Sequence, residues 1–249
     1  MASPQPLRLG VAGADGHTGR AVLALIAERA DVELAVAITR ASAVDEILGS
    51  CEAIIDFTTA AASQALATTA AARGGPALVI GSTGFTADAD AAIARAAASV
   101  AIVKSGNFSP GINVLAQLVE QAARRLPGEE WDIEILEAHH RRKTDAPSGT
   151  ALMLAAAAAR GRGKDLAAIS EHGRDGARAR GAIGYASLRG GGLVGEHSLI
   201  LAAEDEIITL SHSARDRRLF ARGAIAAALW VRGKPPGLYN MADVLGFGR

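Results

Sequence analysis

The chain has 249 residues, 49% of them apolar, with 26 basic and 26 acidic side chains and one cysteine. That length holds one large or two modest domains with proper cores. A formal net charge of zero argues against a general nucleic-acid or membrane-surface role, and the lone Cys51 cannot form an internal disulfide and fits a reducing cytosol. The opening MASPQPLRLGVAGADG has no charged region followed by an unbroken apolar stretch, so no signal peptide is read. No segment approaches the roughly 20 apolar residues of a membrane span. A cytoplasmic protein with neither membrane nor nucleic acid as partner is expected.

Short apolar runs alternate with helical stretches over the first hundred positions. LRLGVA at 7–12, VELAVAI at 32–38, AIIDF at 53–57, ALVIG at 77–81 and VAIVK at 100–104 read as buried parallel strands. Alanine-rich segments of helix length lie between most of them. The alternation predicts an α/β, Rossmann-like, doubly wound parallel sheet with right-handed crossovers. Only positions 39–52 separate the second and third strands, so a helix there must be short or missing. Cys51 precedes the third run and is read as a packing thiol.

After Pro110 the pattern changes. A helix is expected over 112–125, then the strand WDIEILEAHH and, after a polar loop, the helix ALMLAAAAAR at 151–160. From Gly181 the runs AIGYASLR, LVGEHSLILA and EIITLSHSA read as strands with few helices. They predict an α+β domain with a mostly antiparallel sheet, whose outer face is suited to pairing with another subunit. The tail returns to helix in RLFARGAIAAALWV and ends in GKPPGLYNMADVLGF; it is expected to pack back on the first domain. The division is thus a dinucleotide-binding domain from 1–109 and 217–249, and a substrate-binding and oligomerisation domain from 110–216.

The first strand runs into Gly13, Ala14, Asp15, Gly16, His17, Thr18 and Gly19, a G-x-x-G-x-x-G turn. Glycines there allow a tight turn, let a pyrophosphate approach the backbone and let the helix sit close to the strand. An acidic residue about twenty positions on usually binds the adenine ribose. Here that place holds Thr39 and Arg40, with no carboxylate to hold NADH or repel a 2′-phosphate, so NADPH, or weak discrimination between NADPH and NADH, is expected. Arg40 also reads as a solvated loop cation. Two later loops, Gly81-Ser82-Thr83-Gly84-Phe85 and Ser105-Gly106-Asn107-Phe108-Ser109, lie at carboxyl ends of strands, where ligands bind in open α/β sheets.

Positions 137–150 read EAHHRRKTDAPSGT. The imidazoles of His139 and His140 move protons near neutral pH, and Arg141, Arg142 and Lys143 suit an anionic substrate. The turn before the alanine-rich helix places its first N–H groups, at Gly149 and Thr150, toward an anion. A small carboxylated substrate undergoing proton transfer fits all three features. Plainer readings stand beside these: packing histidines, a solvated cationic loop, Asp145 as a turn or cap residue. No further set of His, Cys or Glu has ligand spacing, so no metal is expected. His197 and His212 are read as structural.

That stretch resembles the signature of the 4-hydroxy-tetrahydrodipicolinate reductase family. The loops at 81–85 and 105–109 are similar to the family's GTTGF and (A/S)xNFS segments. IGYASLRGGGLVGEH, HSARDRRLFARGAIAAALW and GLYNMADVLG resemble its later segments, so the likeness covers nearly the whole chain. It implies NAD(P)H-dependent reduction of 4-hydroxy-tetrahydrodipicolinate to tetrahydrodipicolinate and water, in lysine and diaminopimelate synthesis, by a homotetramer. His139 would be proton donor and acceptor, Lys143 a second proton donor, His140 a substrate contact, and Gly149 and Thr150 the holders of a substrate carboxylate. Gly13 to Thr18, Thr39, Arg40, Gly81 to Thr83 and Ser105 to Phe108 would touch the cofactor. Thr39 departs from the acidic residue common in the family, and Ser82 stands where threonine is usual. Two other readings are a related two-domain amino-acid or sugar dehydrogenase, and a non-catalytic dinucleotide-binding protein.

Overall fold

Two units, each with its own sheet, make up the chain: Met1–Pro110 with Arg218–Arg249, and Gly111–Arg217. The computed structural model describes residues 5–39 and 48–247. Arg40 and the connection at 40–47, with the expectation of a short or missing helix there, lie outside the described residues.

The first unit holds β1 (Leu7–Ala12), β2 (Val32–Ile38), β3 (Ala53–Asp56), β4 (Ala77–Ile80), β5 (Ala101–Lys104) and β11 (Gly237–Tyr239). They form one sheet in the order β11-β5-β4-β3-β1-β2, every pairing parallel. Strands β3, β4 and β5 are apolar but for Asp56 and Lys104 at the ends of β3 and β5, because helices cover both faces of the sheet. On one face α1 (His17–Ala27) and α7 (Arg218–Val231) bury Val22, Leu25, Ile26, Ala224, Ile225 and Ala228 against β1 and β3. On the other, α2 (Ala60–Arg73) and α3 (Ala87–Ala96) contribute Leu66, Ala67, Ala70 and Ile93. Cys51 is buried in that second cluster. Small alanines let the helices lie close to the sheet. The chain leaves β1 for β2 on one side and resumes with β3 on the other. The carboxyl ends of β1 and β3 therefore flank the switch point where open α/β sheets bind ligands.

The second unit holds β6 (Asp132–His139), β7 (Ser170–Glu171), β8 (Ile183–Arg189), β9 (Gly195–Ala202) and β10 (Ile207–Ala214) in the order β10-β9-β6-β8-β7. β9 pairs antiparallel with β10 and β6, whereas β6 and β7 pair parallel with β8. The sheet is thus mixed, antiparallel on the β9–β10 side and parallel on the β8–β7 side, and β6 lies between β8 and β9. Two helices, α4 (Pro110–Arg125) and α5 (Gly149–Gly161), pack on one face; α6 (Leu166–Ile169) is a single turn. Leu115, Val119, Leu154 and Ala158 meet Ile133, Ile135, Leu199 and Leu201 there. Side chains alternate across a strand, so Ile133, Ile135, Glu137 and His139 of β6 share this inner face, and its Leu136 points outward. The outer face presents Leu136, Leu188 and Ile207, respectively 44%, 51% and 67% exposed. Among the described residues no helix is long and apolar enough to cross a membrane.

Candidate active site

In the first unit the glycine-rich turn joins β1 to α1. Gly13 has φ 79°; its N–H donates to the Ile38 carbonyl at 3.1 Å, and its own carbonyl accepts from Gly16 N–H at 2.9 Å. A Cβ at Gly13 would lie 2.7 Å from the Phe57 carbonyl oxygen, and one at Gly19 would collide with the carbonyl of Gly13. The turn can close this tightly only without side chains at those two places. Gly16 is the N-cap of α1 and offers no side-chain cap, and the first turn carries no acid. The opening N–H groups of the helix are therefore left for an anion. Bare backbone beside an uncapped helix start fits the diphosphate of a dinucleotide. Asp15 and His17 are exposed and Ala14 is buried.

Thr39 follows β2 and is half-buried. The loops after β4 and β5 lie at the same carboxyl edge of the sheet as the turn. Thr83 and Gly106 are exposed there and Gly81 and Ser105 half-buried. Ser82 and Asn107 are buried and hydrogen-bonded within this unit. Ser82 Oγ lies 2.7 Å from Ser63 Oγ in the interior. The Asn107 carbonyl accepts from Ser105 Oγ at 2.8 Å, and its Oδ1 accepts from Ser109 N–H at 2.8 Å. Phe108 is buried, edge-on to Phe57 with ring centroids 5.9 Å apart. At the end of β3, Asp56 is wholly buried and accepts from the Thr58 N–H and hydroxyl at 2.9 and 2.6 Å. Burial pushes its carboxyl above the ordinary carboxylate range.

The second unit gathers the signature residues around one carboxylate. Glu137 is 1% exposed. Its Oε2 lies 2.5 Å from His139 Nδ1 and accepts from Arg189 Nη1 at 2.8 Å. Oε1 accepts from Arg189 Nη2 at 2.7 Å and from Ser148 N–H at 3.1 Å. Burial alone would raise its pKa; the Arg189 guanidinium, His139 and Ser187 outweigh that and hold it at about 2. Ser148 is the N-cap of α5, its Oγ accepting from Ala151 N–H at 3.2 Å. Gly149 and Thr150 are thus the first two helical residues. The N–H of Gly149 has no carbonyl to meet inside the helix.

The other predicted residues occupy the loop after β6. Lys143 is paired at 2.8 Å with Asp145, and that hydrogen bond holds the carboxyl below the usual range. His140 is half-buried, and its Nδ1 has no hydrogen-bond partner among the described residues. Desolvation first, then the charges of Arg217 and Arg142, lower its pKa. His197, read from sequence as merely structural, belongs to the cluster. Its Nε2 lies 3.0 Å from Ser148 Oγ, and its ring sits edge-on to His139 with centroids 5.0 Å apart. Burial and the nearby His139 push its pKa down to about 4. A Cβ at Gly195 would approach His139 Nε2 to 3.1 Å, so the absence of a side chain there leaves that nitrogen room.

Sequence reasoning did not single out Glu137, Ser148 or Arg189 and read His197 as structural; the fold gathers them around the pair formed by Glu137 and His139. Glu137 carried a signal: it stands two residues before His139 on the strand, and period-2 alternation puts both on one face. Arg189 and His197 carried none, because strand pairing alone brings them in, with Arg189 opposite His139 and His197 opposite Glu137.

Residues 7–108 match the family described as dihydrodipicolinate reductase, N-terminus, and residues 111–245 the one described as dihydrodipicolinate reductase, C-terminus. The 4-hydroxy-tetrahydrodipicolinate reductase of Caulobacter vibrioides is 56% identical over 253 residues, covering 98% of each chain. Its Rhizobium meliloti counterpart is 48% identical over 266 residues, covering 96% of this chain and 97% of that one. Among solved structures, a dipicolinate-bound dihydrodipicolinate reductase from Paenisporosarcina superposes with a TM-score of 0.78 at 20% identity, covering 96% of this chain and 98% of that one.

Proposed function

The chain belongs to the dihydrodipicolinate reductase family and is an oxidoreductase, and from that premise we propose that it reduces 4-hydroxy-tetrahydrodipicolinate to tetrahydrodipicolinate and water, a step of lysine and diaminopimelate synthesis. One observation carries this reading. The Glu137 carboxylate is bonded both to the ring of His139 and to the N-cap of the helix that opens at Gly149 and Thr150. A proton donor and an anion-binding helix start are thereby built into one unit, as a small dicarboxylic substrate requires.

When bound, a nicotinamide dinucleotide supplies the hydride. Gly13 to Thr18, Gly81 to Thr83, Ser105 to Phe108 and Thr39 would hold it, with the backbone of the glycine turn taking the diphosphate. Arg40 would serve a 2′-phosphate, and no carboxylate at Thr39 repels one, so NADPH is used at least as well as NADH. Loss of the 4-hydroxyl as water leaves a conjugated imine, and hydride addition to it leaves negative charge that a proton must neutralise. His139 delivers it through Nε2, since Nδ1 faces Glu137. Lys143, held by Asp145, is the second donor and a counter-charge. His140 and the amides of Gly149 and Thr150 hold a substrate carboxylate.

We also infer a homotetramer, supported by the apolar residues exposed on the outer face of the second sheet. The function is tested by steady-state rates with NADPH and NADH, read by cofactor oxidation. His139→Ala and Lys143→Ala should each lower kcat by roughly 10²–10⁴-fold, the range of general acid catalysis, with cofactor Kd unchanged. Near-normal rates in both would remove the two proton donors.

A further inference from the structure

We propose that Glu137 is a positioning residue, which fixes the nitrogen His139 presents to substrate and ties that ring to the helix start at Ser148. The inference rests on the reading of His139 as proton donor. Four contacts converge on the buried carboxylate: two from Arg189, one from the Ser148 amide and one from the His139 ring. Guanidinium and amide can only donate, and the carboxylate they hold can only accept. His139 therefore donates from Nδ1, and Nε2 is left as the atom that takes up a proton from solvent, giving an imidazolium held by Glu137, and passes it to substrate.

Arg189 is fixed independently, because it also donates to the carbonyls of Leu188 and Asp145 at 2.8 and 2.6 Å. The ring is further bounded by His197 from β9, while Lys143, paired with Asp145, stands in the loop that follows. Within this set Glu137 alone touches β6, β8 and the cap of α5 together. A simpler role, neutralising a half-buried arginine, would leave the tautomer of His139 indifferent to Glu137.

Glu137→Gln separates the two roles. The amide oxygen would be claimed by Arg189 and the Ser148 N–H, which turns its NH₂ toward Nδ1 and forces His139 into the Nε2–H form. Long-range ¹H–¹⁵N spectra of the ¹⁵N-histidine-labelled, substrate-free full chain, at a pH where the imidazoles are neutral, read the tautomer directly. His139→Ala assigns the signal. The expected result is Nδ1–H in the native protein, Nε2–H in Glu137→Gln, and Nδ1–H retained in Arg189→Gln, where the carboxylate persists. Turnover in Glu137→Gln should fall roughly 10²–10⁴-fold with cofactor Kd unchanged, and in Arg189→Gln by less. An Nε2–H ring in the native protein, or Nδ1–H persisting in Glu137→Gln, overturns the proposal. Should Glu137→Gln not fold, the native and Arg189→Gln spectra still decide, since Nε2–H in either overturns it. The tautomer is read without substrate, so its failure is distinct from failure of the proton-donor reading, which turnover alone reports.

Discussion

At the scale of single residues, Glu137 and His197 make stability depend on acid in the same direction. Glu137 titrates at about 2 in the fold against an ordinary 4.5. Its contribution is therefore complete above pH 4.5 and is lost as pH falls toward 2. His197 titrates at about 4 against 6.5, so its neutral form is favoured in the fold and stability drains between pH 6.5 and 4. Each shift corresponds to roughly 3 kcal/mol. Urea unfolding followed by Trp131 fluorescence in a Trp230→Phe background should show the midpoint falling from pH 6.5 downward. His197→Phe should remove the upper stage. A midpoint flat between pH 7 and 4 would contradict both assignments. The two residues also mark what the sequence hides. His139 and Lys143 announce themselves by chemistry and neighbours, whereas the acid that orients His139 looks like one more surface carboxylate until alternation is applied to its strand. The Arg189 guanidinium reaches it across 52 residues of chain, and no local pattern encodes that distance.

Among the elements, the turn between β1 and α1 is the most exacting. A methyl group at Gly19 meets backbone, the carbonyl of Gly13, so α1 would have to back away and carry its N–H groups off the phosphates. Gly19→Ala should weaken NADPH binding on the order of tenfold or more, about 1.4 kcal/mol, as read by fluorescence titration. The circular dichroism spectrum should stay native. An unchanged Kd would mean that this turn does not hold the cofactor. The turn and strands β1, β3, β4 and β5 were readable because strands buried on both faces are short apolar runs; β2, expected as a buried strand, lies at the sheet edge and is largely exposed. Strand β11 was not, being three residues after two prolines, too short for any period to show. The place of β6 between β8 and β9 was equally invisible. The late runs suggested consecutive strands, but pairing is decided by which apolar faces meet, which is non-local.

For the whole molecule, the second sheet poses a burial problem. Helices α4 and α5 cover one face; on the other, Arg174 and Arg178 pair with Glu134 and Asp132, while Leu136, Leu188 and Ile207 meet solvent. Large apolar residues exposed on an outer sheet face mark a protein interface, and such a face repeated on every copy favours closed, symmetric self-association. The unsubstituted chain should sediment as a tetramer at micromolar concentration. Replacing Leu136 and Leu188 together by lysine puts two charges on the face that must be desolvated on contact, and should yield smaller species while the cofactor Kd, set in the first unit, stays unchanged. A tetramer that survives both lysines places the interface elsewhere, and an unsubstituted chain that sediments as a monomer removes the tetramer.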